Sequence, residues 1–238
     1  MYLVIIIGTV VSGVLSEMYI QSNLVVPGDV TGAANSLVVS EGPYRFGFAG
    51  YVVVYLSDLA VALLLYVLLK PVSRNLALLA AFFRSAEAVI LGLNMLNHFA
   101  AFSLLNGTDY LTILGPDQLP AAVQFFLNMH RSGYLIGQAF FGLHCLVLGY
   151  LLFKSGYFPR VLGVFMVLAS LAYLTESFAF FLSSNYAAIE TSISWIVALP
   201  AFAAEISLTL WLLFKGVRIQ ERDDRAQLSS RMQLEPKG

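Results

Sequence analysis

Charge is what this chain of 238 residues has least of: Asp, Glu, Lys and Arg together make up 11%, and the net charge is -1. Soluble globular domains carry about 25% charged residues, so an ordinary water-soluble fold is excluded. With 13 basic against 14 acidic residues, no positive field exists to hold nucleic acid. The single cysteine, Cys145, excludes an intrachain disulfide and a thiolate metal cluster. Only three histidines occur, and neither an HExxH nor an ExxH spacing is present. The chain also lacks a Gly-rich phosphate loop, a nucleophile elbow, a kinase motif and any solenoid-period repeat. What it has is apolar bulk, 59% of residues with a mean hydropathy of +0.80. That excludes disorder as well, which needs low hydrophobicity and high charge.

A helix crossing a bilayer needs about 20 mostly apolar residues. Six such runs are present, at 2–20, 46–69, 75–104, 132–153, 160–183 and 190–214. They are apolar all round instead of alternating, which argues against an outer-membrane barrel. Clusters of Gly, Pro, Asn and Asp separate them, as at Val26-Pro27-Gly28-Asp29 and Lys70-Pro71-Val72-Ser73-Arg74. The expected fold is therefore all-α: a polytopic membrane bundle of six transmembrane helices. Ten Lys and Arg residues fall on one side of that arrangement, Arg45 and Arg131 on the other, and Arg84 inside a span. This asymmetry places both termini in the cytoplasm. The first run lacks a basic n-region and a small-residue cleavage site, so it reads as a retained helix. Asp29-Val30-Thr31 predicts a short capped helix within the outer segment 21–45. Residues 117–131 read as an amphipathic lead-in to the fourth span, and 216–238 as a polar cytoplasmic tail.

The informative residues are those a bilayer rejects. An ionisable side chain at the membrane centre costs about 2.5–3.5 kcal/mol on insertion scales, so each needs a partner or a watery cavity. Asp58, Arg84, Glu87, His144 and Glu205 fall near the middle of their spans, and Glu17, His98, His130, Arg131 and Glu176 nearer the outer face. On the third span Arg84, Glu87, Asn94 and His98 form one stripe about 80° wide at 100° per residue. His130, Tyr134, Gln138 and His144 share a face of the fourth, and Tyr51, Tyr55 and Asp58 a face of the second. Three polar faces point to a common interior holding either a polar cavity or a tightly paired network. Arg84 and Glu87 stand at i, i+3 and can pair within one helix. Three acids then face one mid-depth Arg, and in low dielectric protonation is the cheaper outcome. Arg84 is expected to contact Glu87 and at least one of Asp58 or Glu205, since a guanidinium can serve two carboxylates. Both a structural polar clamp and a functional cavity fit this pattern.

The outer set, Glu17, His98, His130 and Glu176, has the ligand types of a zinc or iron site without the spacing of one. His98 and His130 could ligate one haem on type alone. Interfacial hydrogen bonding is the expectation instead, with no metal and no cofactor.

Five separated motifs, taken in order, carry a resemblance. They are Tyr66 to Leu78 with Lys70-Pro71 and Arg74-Asn75; Ala81 to Ala88 around Arg84 and Glu87; Gly133 to His144; Gly149 to Arg160; and Leu199-Pro200 to Glu205, closing at Trp211 to Gly216. Over essentially residues 2–216 the chain resembles the bacterial membrane family catalogued as domain of unknown function 4386. The resemblance implies a multi-pass protein of the inner membrane and no particular activity.

The leading functional reading is a non-enzymatic accessory, sensor or small-ligand-binding bundle around a buried charged network. An intramembrane enzyme on a lipid-soluble substrate, using the outer Glu and His set, is the alternative from a different class. A proton-linked carrier using Asp58, Glu87 and Glu205 is another, though no inverted repeat is visible. The expected partners are the lipid bilayer and a lipid or small hydrophobic ligand in the interior, with no nucleic acid.

Overall fold

A computed structural model of the chain describes residues 41–106 and 108–215. Among these every regular element is helix: α1 (Glu41–Leu69), α2 (Arg74–Asn106), α3 (Thr108–Ser155), α4 (Arg160–Leu182) and α5 (Tyr186–Phe214). All five are long and apolar enough to cross a membrane. They occupy five of the six expected runs. The run 2–20 with Glu17, the capped segment before residue 41, and the tail 216–238 lie outside the described residues.

The turns follow the local chemistry. Pro71 cannot continue α1, and the Lys70 and Val72 N–H groups reach back to the Tyr66 and Leu69 carbonyls at 2.8 and 3.0 Å. Gly156, at φ +73°, takes the left-handed conformation that ends α3. The Ser155 hydroxyl then accepts the Phe158 N–H at 3.2 Å. Each helix packs against the next in sequence. Four successive reversals place the 70–73 turn, the 156–159 turn and the end of α5 at one end of the bundle. That end is knitted together: the Tyr157 hydroxyl donates to the Leu68 carbonyl at 3.0 Å, and Phe158 stacks obliquely on Trp211 with ring centroids 4.5 Å apart.

The main core fills this half, with Leu69, Ala77, Leu148, Leu152, Leu162 and Met166 buried. Here α3 and α4 cross closely, because a Cβ on Gly149 would lie 2.7 Å from the Gly163 carbonyl oxygen. A second cluster, Ala101, Phe102, Leu105 and Val123, joins α2 to α3 at the far end. The distribution is the reverse of a soluble protein's. Asp58 and Glu87 are 6% and 7% exposed, while Phe202 and Leu93 are 69% and 64% exposed. Apolar side chains facing outward and polar ones inward fit a lipid surround.

The helices also depart from the expected bounds. α1 starts five residues before 46, taking in Glu41 to Arg45, and α5 four before 190, taking in Tyr186 to Ile189. The larger difference is α3, 48 residues long, in which the lead-in 117–131 is continuous with the fourth span. No loop chemistry interrupts residues 121–155. On the lead-in's polar face, the Gln124 amide donates to Asn128 one turn later at 2.9 Å.

Candidate functional site

The five inner charged or titratable residues all lie about ten residues, hence about 15 Å, from the knitted end of their helices. Arg84 on α2 forms an ion pair and hydrogen bond with Asp58 on α1. Its guanidinium lies over the Phe141 ring of α3, 5.3 Å from the centroid. Phe141 in turn packs against His144 and, edge-on, against Tyr173 of α4 at 5.3 Å. The Tyr173 hydroxyl donates to Glu205 of α5. All five described helices therefore contribute to one level.

Of the contacts expected of Arg84, the one to Asp58 forms, and no hydrogen bond to Glu87 accompanies it among the described residues. Side chains on a helix lean toward its N-terminus, so Arg84 leans away from a partner three residues ahead of it. An acid placed before the base is the better order within a helix, and here it comes after. Glu87 still acts on Arg84, Asp58 and Glu205 through space. Glu205 lies on the exposed side of α5, with Tyr173 as its hydrogen-bond donor.

Four polar atoms at this level are buried without a hydrogen-bond partner among the described residues: Arg84 Nε, Glu87 Oε2, His144 Nε2 and the Ser170 hydroxyl oxygen, ten residues into α4. The histidine is chemically defined. Its Nδ1 lies 2.8 Å from the Ala80 carbonyl oxygen, which can only accept, so Nδ1 carries the proton. In the neutral ring Nε2 is then a bare lone pair, on a residue 1% exposed. Glu87 Oε2 accepts when the carboxyl is ionised and can donate when it is protonated. Among the described residues this level thus holds one lone-pair acceptor at His144, one donor at Arg84, and two groups, Glu87 and Ser170, able to do either.

The outer set divides. His98 on α2 and His130 on α3 meet ring to ring, edge-on, with centroids 3.9 Å apart. The Asn94 amide donates to the His130 carbonyl at 2.8 Å and lies 3.1 Å from its Nδ1. Gly133 makes room for this, since a Cβ there would overlap the Asn94 amide. Two rings in direct contact leave no slot for a porphyrin between them. Glu176 belongs to a separate group, receiving Gln138 of α3 at 2.8 Å and Tyr186 and Ser194 of α5 at 3.5 and 3.4 Å. Among the described residues no three His, Cys, Asp or Glu side chains form a metal-holding group. Arg131 pairs with Glu190 and lies over Phe180 and Tyr186 at the same end.

Sequence reasoning passed over Tyr173, Phe141, Tyr186 and Ser194. Aromatic and hydroxyl residues are at home in spans, so nothing singled them out. One signal was available: Tyr173 and Glu176 stand at i, i+3, on a shared face of α4.

The family model for domain of unknown function DUF4386 matches residues 2–216. An uncharacterized protein of Archaeoglobus fulgidus is 29% identical over 179 residues, covering 75% of this chain and 89% of that relative. No solved structure matches significantly.

Proposed function

The chain belongs to the DUF4386 family, and from that premise we propose a non-enzymatic, six-helix protein of the inner membrane, with cytoplasmic termini, that binds or senses a small molecule in its interior. The observation that carries this reading is that Glu87 Oε2 and His144 Nε2 are buried near the Arg84–Asp58 pair with no hydrogen-bond partner among the described residues. An unsatisfied polar group in a dry interior costs about 1–3 kcal/mol, so a purely structural clamp has reason to satisfy both. A small, largely apolar molecule bearing an N–H or O–H donor would satisfy them. The outer Glu and His residues supply hydrogen bonding at the membrane surface. A proton-linked carrier is the second reading, favoured by the three acids Asp58, Glu87 and Glu205 standing on three different helices around one Arg.

The test is small-molecule mass spectrometry on material extracted from the purified full chain in lipid nanodiscs. A donor-bearing molecule should copurify with the wild type and be lost from Glu87→Gln and from His144→Phe. Equal recovery from all three proteins, or no copurifying molecule in the wild type, overturns the reading.

A further inference from the structure

On the outer surface of the bundle, α3 and α4, with Leu76 of α2, line a groove of about 580 Å³. Its size suits a small ligand, for which pockets of about 300–1,000 Å³ are usual. The groove follows from the glycine crossing. With no side chain at Gly149 or Gly163 the two backbones touch, and both glycines line the groove. Tyr150, Phe153, Val164 and Leu168 also line it, each about half exposed. From Leu146 to Phe153 the groove runs about 10 Å along the helix axis. That direction and length match a stretch of acyl chain within one leaflet, whose hydrocarbon is about 15 Å deep.

The groove ends at a concentration of positive charge. Lys154 follows Phe153 directly, and the Arg160 guanidinium lies 5.6 Å from the Phe153 ring centroid. Lys70, Arg74 and Lys215 are exposed at the same end of the bundle. No acidic residue lies at that end among the described residues, since the nearest acids are those of the mid-depth level. An apolar groove parallel to the lipid chains, opening onto cations with no acidic neighbour among the described residues, is complementary to one kind of molecule. We propose that it seats an acyl chain of an anionic phospholipid, with the phosphate against Lys154 and Arg160. Basic pockets between transmembrane helices bind anionic headgroups in this way. The site is independent of the interior ligand proposed above and needs only that α3 and α4 lie in a membrane.

The experiment is native mass spectrometry of the purified full chain in detergent, with palmitoyl-oleoyl phosphatidylglycerol and the matching phosphatidylcholine added in equal amounts. Roughly thirtyfold more phosphatidylglycerol should be retained, the order expected when two surface cations act on one anionic headgroup. Lys154→Gln with Arg160→Gln should remove that preference, and Lys70→Gln with Arg74→Gln should leave most of it. Val164→Trp, which fills the groove from an exposed position, should reduce retention of both lipids. Equal binding of the two lipids by the wild type overturns the proposal. So does a preference that survives the Lys154/Arg160 change, or retention unaffected by Val164→Trp.

Discussion

Replacing Arg84 with Met leaves the Asp58 carboxylate without its cation at 6% exposure, in the middle of an apolar bundle. A stranded Asp at that depth costs about 2.5–3.5 kcal/mol. Losing the guanidinium from the Phe141 face adds about 0.5–1 kcal/mol. The expected loss is therefore about 3–4 kcal/mol. Arg84→Lys keeps a charge but loses the fork and the ring contact, and should cost about 1 kcal/mol. The decisive measurement is the cycle with Asp58→Asn. Removing both partners leaves no stranded Asp58 charge and only Glu87 as a buried acid beside the pair, so the double variant should recover at least half of what Arg84→Met loses. Unfolding in mixed micelles with rising dodecyl sulfate supplies the free energies. The two tryptophans supply the signal, and Trp211 sits against Phe158 in the main core. An Arg84→Met protein within about 1 kcal/mol of wild type, or strictly additive single effects, would refute the ion pair as a structural tie between α1 and α2.

Gly163→Ala should destabilise by about 1–3 kcal/mol in the same assay, because the new Cβ would lie 2.6 Å from the Gly149 carbonyl oxygen and the backbones must part; an unchanged midpoint would mean that the crossing is looser than described. For orientation, Gly156→Cys in the turn beside Lys154 should resist a membrane-impermeant thiol reagent in intact cells, and Ser184→Cys between α4 and α5 should react. The opposite pattern would reverse the expected topology, and the native Cys145, fully buried, should stay silent in both.

The spans were legible because bilayer solvent writes a coarse signal. Runs of apolar residues bounded by Lys70-Pro71 or Gly156 to Pro159 mark the ends of α1, α3 and α4 within a residue or two. The continuity of α3 was not, because the polar stretch with Gln124 and Asn128 has the composition of an interfacial segment and gains its helix from local amide bonding and from α2 beside it. Depth in the membrane likewise singled out Asp58, Arg84, Glu87, His144 and Glu205. The Arg84–Asp58 contact was among those expected, while the absence of an Arg84–Glu87 hydrogen bond was not legible. Whether Arg84 turns toward Glu87 or Asp58 depends on where α1 stands relative to α2, and a stripe on one helix carries no such information. The Ala80 carbonyl that orients His144 is a backbone group, invisible to any reading of side-chain types.

The length of α3 divides the molecule between two solvents. At 1.5 Å per residue its 48 residues extend about 72 Å, against about 40–45 Å for a bilayer with its headgroups. Leu105, 31 residues beyond Arg74, stands about 46 Å along α2, so the cluster of Ala101, Phe102, Leu105 and Val123 sits at or past the headgroups. In a bundle standing upright with Arg74 at the inner headgroups, water and not hydrocarbon would surround that end. There the cohesion is the ordinary hydrophobic effect, entropic near room temperature and weakened by urea. The glycine crossing of α3 and α4 at the other end has no such drive, since lipid tails are as apolar as the side chains, and it holds by close packing alone. One helix is thus anchored by two forces with different temperature and denaturant responses. Urea should loosen the α2–α3 tip while the α3–α4 crossing stays closed.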